Sequence, residues 1–174
     1  LLECTPVVAG CLAAESLPLP ASAATTPPKL DDIKVLALKA RSLRGYVRTT
    51  AANRRLFPME EGGNNYVNVA NTVLRGRKEV LLPLQEALAA AAAVTNLPDE
   101  ERQKQLALQP LLMKGHLSEL DYYLTKASFD QYTSKTTGDT YPGGKVEREL
   151  EEVCDTAADF ILLAQNKPAP VRDD

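Results

Sequence analysis

The chain has 174 residues, enough for one compact domain and too few for two comfortable ones. Hydrophobic residues make up 44% and aromatic residues only 5%, with no Trp, a profile that suits helices packed through Ala and Leu and argues against a sheet-based fold. The net charge of −3 excludes the overall basic footprint of a nucleic-acid binder, and the longest apolar run, Ala87 to Val94, falls far short of the roughly 20 residues that a spanning helix needs.

Residues 1–30 carry Pro6, Pro18, Pro20, Pro27 and Pro28, which predict an extended arm. Ala21-Ser22-Ala23 has the small-x-small form cut by signal peptidases. Glu15, Pro18 and Pro20 interrupt the apolar approach that such a signal requires, so the stretch reads as an arm with a docking role. Asp31 and Asp32 open a first helix, and Ile33, Leu36, Ala40, Leu43 and Val47 form its apolar stripe to about Leu56. Pro58 and Gly62-Gly63 mark a loop.

A second stripe, Val67, Ala70, Leu74, Leu81, Leu84, Leu88 and Ala91, predicts one helix bent at Pro83, with Arg77 breaking the stripe once. In "TNLPDEE" Thr95 or Asn96 ends that helix, Pro98 takes a first-turn position, and acids follow at the next N-terminus. Leu106, Met113, Leu117, Leu120, Leu124 and Ala127 make the third stripe, with Pro110 at an expected core position. After a loop around Thr133 to Asp139, Pro142-Gly143-Gly144 leads into the fourth: Val146, Leu150, Val153, Ala157, Phe160 and Ala164. Nothing reads as a strand. The expectation is an all-α, up-down-up-down four-helix bundle over 31–167, preceded by the arm of residues 1–30 and followed by a tail over 168–174.

The inventory for catalysis is thin, and no enzymatic activity is expected. His116 is the single histidine. Glu119, one turn away, could orient it, but one histidine cannot build a bundle di-metal site. No GxSxG, GxGxxG or P-loop pattern occurs, and Gly143-Gly144-Lys145 reads as a helix cap. Glu147, Glu149, Glu151 and Glu152 read as the solvated face of a helix. Tyr122 and Tyr123 face about 100° apart, so one should pack at the bundle edge and the other reach outward. Cys4, Cys11 and Cys154 allow at most one disulfide pair, with Cys154 otherwise a small buried apolar residue. No cofactor or metal is expected.

Charge is unevenly distributed. Residues 31–56 hold seven bases against two acids, a net of +5, whereas residues 129–174 hold ten acids against five bases, a net of −5. Arg41, Arg44, Arg48 and Arg55 share one face of the first helix. That face either complements the acidic last helix from within or docks an acidic protein surface.

Three stretches together resemble the PsbQ-like extrinsic proteins of photosystem II, those of diatoms and related algae in particular. They are "LRGYVRTTAANRRLFPMEEGGNNYVNVANTVLRGRKEVLLPL", "HLSELDYYLTKASFDQY" and "PGGKVERELEEVCDTAADFILLA". The resemblance implies a non-enzymatic subunit in the chloroplast thylakoid lumen. It would be peripheral to the membrane and bound to the photosystem II core and other extrinsic subunits, where it would shield the manganese-calcium cluster and help retain calcium and chloride. It assigns no individual residue, because the family has no short motif to align, and the three cysteines are not expected from its plant members. The docking residues expected here, Arg41, Arg44, Arg48 and Arg55 with Pro18, Pro20, Pro27 and Pro28 of the arm, come from charge and composition. A lumenal subunit of photosystem I or an antenna complex is an alternative. So is a small-ligand bundle opened by the kinks at Pro83 and Pro110.

Overall fold

A computed structural model describes residues 28–56 and 65–167. It is an all-α four-helix bundle. The helices are α1 (Leu30–Leu56), α2 (Asn65–Gly76) continued through a π turn (Arg77–Leu81) into α3 (Leu82–Val94), α4 (Glu100–Thr125) and α5 (Gly144–Ala164). The run from 65 to 94 is unbroken, so it counts as one bundle helix. α5 packs most extensively, against α4 and α1, and the 65–94 helix closes the ring between α1 and α4. Among the described residues, no helix is long and apolar enough to cross a membrane. The arm up to Pro27 lies outside the described residues, and Pro28 sits just ahead of α1.

α1 follows its expected stripe, burying Ile33, Ala37, Ala40, Leu43 and Val47, with Leu36 partly buried beside them. Its first turn is tied by Asp31, which accepts from Lys34 at 2.7 Å. That hydrogen bond also holds the Asp31 carboxyl below its ordinary pKa. α5 likewise buries Val146, Leu150, Val153, Ala157 and Phe160, while Leu163 takes the place expected for the partly buried Ala164. Each fully buried Leu or Phe of this kind contributes about 2 kcal/mol.

The 65–94 helix differs from expectation in its first half. Leu81, Leu84, Leu88 and Ala91 are buried, but the inward residues before them are Val69 and Val73, while Val67 and Leu74 are 48% and 50% exposed. The π turn is the cause. Pro83 has no N–H, and its ring crowds the carbonyl four residues back. Around it the hydrogen bonding widens, and the Leu82 N–H donates to Arg77 O, five residues back. One extra residue enters the turn, and the inward face shifts by one position. Arg77 is not a defect in the stripe: it reaches across to Asp121 of α4, 2.6 Å from nitrogen to oxygen.

α4 begins two residues after Pro98, the first-turn position that the sequence suggests. Asp99 is its N-cap and accepts from the Arg102 N–H at 3.0 Å, which leaves Pro98 ahead of the helix. Pro110 lies within the helix and is only partly buried, and Gln109 occupies the core side there. Ala127, expected in the stripe, instead lies beyond the helix end with φ 48°. The Ser128 N–H donates to Tyr123 O at 3.0 Å, closing a left-handed helix stop.

The loop to α5 holds two short antiparallel strands, which sequence reading missed: β1 (Tyr132–Thr133) and β2 (Thr140–Tyr141), with Tyr132 opposite Tyr141. Two residues per strand are too few for an alternating pattern to register. Stacking of Tyr132 on Tyr141, centroids 6.2 Å apart, supplies the cross-strand contact. Phe129, 2% exposed, pins the same loop to the core.

Candidate functional site

The chemistry-bearing residues gather along α5 and the two seams it forms. α1 and α5 run antiparallel, and both place charges four residues apart. Arg44 therefore meets Glu151 at 2.8 Å, and Arg48 meets Glu147 at 2.9 Å. Two of the four arginines of the basic face thus complement α5 from within. Arg41 is exposed further along the same seam, and the Arg55 side chain lies outside the described residues.

Glu147 and Glu149 correct the reading of an acidic, solvated face, because both are fully buried. Glu147 reaches back to the α5 N-cap, where its Oε2 accepts from the Gly143 N–H at 2.7 Å, while Oε1 takes Arg48. The carboxylate thus satisfies an orphan helix donor and a cation together. This bears out Gly143 as a cap. The paired spacing of Arg44/Arg48 and Glu147/Glu151 is a signal that could have found the ladder.

Glu149 lies in the other seam, against α4. Its Oε2 is 3.4 Å from His116 Nδ1, so the carboxylate beside the histidine comes from α5 and not from Glu119 on its own helix. Its Oε1 has no hydrogen-bond partner, and Arg148 Nη1 stands 3.7 Å away. No sequence spacing reports a contact between residues 33 positions apart on different helices. Among the described residues, no three His, Cys, Asp or Glu side chains come together as a metal set.

The tyrosine pair behaves as its spacing predicts. Tyr122 is 58% exposed, and Tyr123 packs partly into the core, with the rings edge to face at 5.3 Å. Lys145 stands over Tyr123 and Tyr132, 5.1 and 5.5 Å from their centroids. Burial, reinforced by the charge of Glu151, pushes the Tyr141 hydroxyl up to about 12. Burial also raises Glu151 itself, with Arg44 opposing.

Cys154 is free and buried, so the structure leaves no disulfide from it. The two other cysteines lie outside the described residues. Burial pushes the Cys154 thiol up to about 11, and Arg44 and Arg41 only partly offset that. In a Cys4→Ser/Cys11→Ser variant at about pH 8, folded protein is therefore expected to resist thiol-reactive reagents and unfolded protein to react at once. Rapid labelling of the native fold would show that the thiol is reachable.

Two grooves flank α5. One, about 400 Å³, lies against α1 with an apolar floor of Ala37, Leu38, Ala158, Ile161 and Leu162, and with Lys34 and Arg41 on its rim. The other, about 490 Å³, runs beside the β-hairpin and is polar, with Asp139, Glu151, Glu152 and Asp155 facing Arg148 and the two stacked tyrosines. Neither is lined by Pro83 or Pro110. No protein-family model, curated protein or solved structure matches the chain.

Proposed function

We propose that the protein is a non-enzymatic extrinsic subunit of photosystem II. It sits in the chloroplast thylakoid lumen, docks on the lumenal face of the complex without crossing the membrane, and stabilises the oxygen-evolving manganese-calcium cluster and its retention of calcium and chloride. The observation that carries the reading is the resemblance of the three quoted stretches. Their described residues contribute to all four bundle helices. The groove between α1 and α5 supports it: an exposed Arg41 beside an apolar floor suits a protein surface that is acidic and partly apolar.

Native protein solubilised from thylakoids in mild detergent is expected to co-purify with photosystem II. It should leave the membrane in about 1 M salt, where the Debye length falls to about 3 Å. Co-purification with photosystem I or an antenna complex would overturn the assignment, and retention through the wash would contradict a mainly electrostatic contact. Arg41→Glu is the charge reversal to test in rebinding, because reversing Arg44 or Arg48 acts on the bundle's own seam. Removal of residues 1–28 should likewise weaken rebinding while helicity is kept. Full-strength rebinding by the truncated chain would remove the arm from the docking mechanism.

A further inference from the structure

The side of α4 that faces away from the core carries an apolar stripe. Leu108, Leu111 and Leu112 are 47%, 65% and 41% exposed, whereas Leu106, Met113, Leu117 and Leu120 on the other side are buried. Gly115 extends the outward stripe, and a Cβ built there meets nothing within 4 Å. Glycine inside a helix is less favourable than alanine, and no packing within the bundle requires one here. At 3.6 residues per turn, Lys104, Leu108, Leu111, Leu112, Gly115 and Glu119 share an arc of about 100°.

Their order along the helix is self-complementary. When two copies of α4 lie antiparallel and cross between Leu111 and Leu112, Lys104 comes opposite the partner's Glu119. Leu108 comes opposite the partner's Gly115, and Leu111 opposite the partner's Leu112. A two-fold axis repeats each contact, as a closed dimer requires. The bulky leucine meets the glycine hollow, and the cation meets the carboxylate. A parallel pairing would instead set Lys104 against Lys104 and leave two glycines facing each other. Charge therefore selects the antiparallel register. Lys104 is anchored by Glu100 at 3.0 Å with its side chain 66% exposed, so it is available to a second carboxylate.

We propose that this face of α4 is the contact surface of a symmetric homodimer, in which a second copy of the chain docks antiparallel across Leu111 and Leu112 and the Lys104–Glu119 pair fixes the register. The assignment rests on α4 alone and is independent of the photosystem reading.

Sedimentation velocity of the full chain, in a dilution series from about 100 µM, is expected to show a dimer that dissociates on dilution. Leu111→Glu should be monomeric throughout, with unchanged far-UV circular dichroism. Lys104→Glu and Glu119→Lys should each weaken the dimer by about tenfold, and the double variant Lys104→Glu/Glu119→Lys should recover most of that loss. A wild type that stays monomeric overturns the proposal, even if its α4 face takes up detergent or lipid vesicles instead. So does a dimer indifferent to Leu111→Glu, or a charge-swapped double variant no tighter than the single variants.

Discussion

Gly144→Ala is expected to lower the stability of the bundle by about 3 kcal/mol, the sum of a left-handed backbone and a blocked site. Gly144 has φ +69°, and its missing Cβ would press on Ser128 O, on Asp130 O at 2.6 Å and on Phe129 C at 2.8 Å. All three are backbone atoms of the segment that turns the chain from α4 towards α5, so no side chain can swing aside to relieve the contact. Gly138→Ala is the natural control. It has φ +77° with nothing within 4 Å, so only the conformational cost, about 1 kcal/mol, should appear. Urea unfolding of both variants measures the difference. Equal losses would mean that the tight approach to residues 128–130 has no energetic weight.

The second large effect is expected at Arg48. Arg48→Ala removes the cation from a carboxylate that has no exposure to water, and leaves Glu147 with the Gly143 N–H as its remaining partner. Removing one partner of a buried pair costs about 3 to 5 kcal/mol. Because 48% of the Arg48 side chain is already in contact with water, the cost falls below that range, to about 2 to 3 kcal/mol. The double variant Arg48→Ala/Glu147→Gln should regain about half of that, since the neutral amide keeps a hydrogen-bond acceptor for the helix cap. If the double variant were no more stable than Arg48→Ala, the stranded charge would not be the source of the loss. By the same reasoning, reversing Arg44 and Arg48 together to Glu would face two carboxylates with two more, and should unfold the bundle before any docking could be assayed.

The helices of this bundle were legible in the sequence wherever one side of a regular α-helix is apolar and the other polar. α1 and α5 meet that condition. α4 meets it on its inward side, although leucines on both sides give the helix little net amphipathicity. The inward face of α2 departs from the expected Val67, Ala70 and Leu74 because heptad-like steps back from Leu81 assume one regular α-helix through Pro83. The π turn breaks that regularity, and a single proline does not announce how many residues the turn will absorb. The buried carboxylates were misread for a different reason. A run of glutamates describes one helix, whereas the burial of Glu147 and Glu149 is decided by Arg48 and His116 on two other helices. Of the residues expected to dock, Arg44 and Arg48 turned out to be structural partners. Arg41, by contrast, lines the groove between α1 and α5.

The π turn at 77–81 also makes the 65–94 helix two rods joined at a fixed offset, and each rod keeps its own angular frame. Re-forming an ordinary α-turn there without a change of length would rotate 65–76 by about 100° relative to α3. Val69 would swing out, and Leu74 would turn towards the core. Losing one residue at the turn would instead remove the inserted residue and leave both inward faces as they are. The turn thus absorbs a one-residue difference in length locally, so that neither the packing of α3 nor the outward surface of 65–76 has to change.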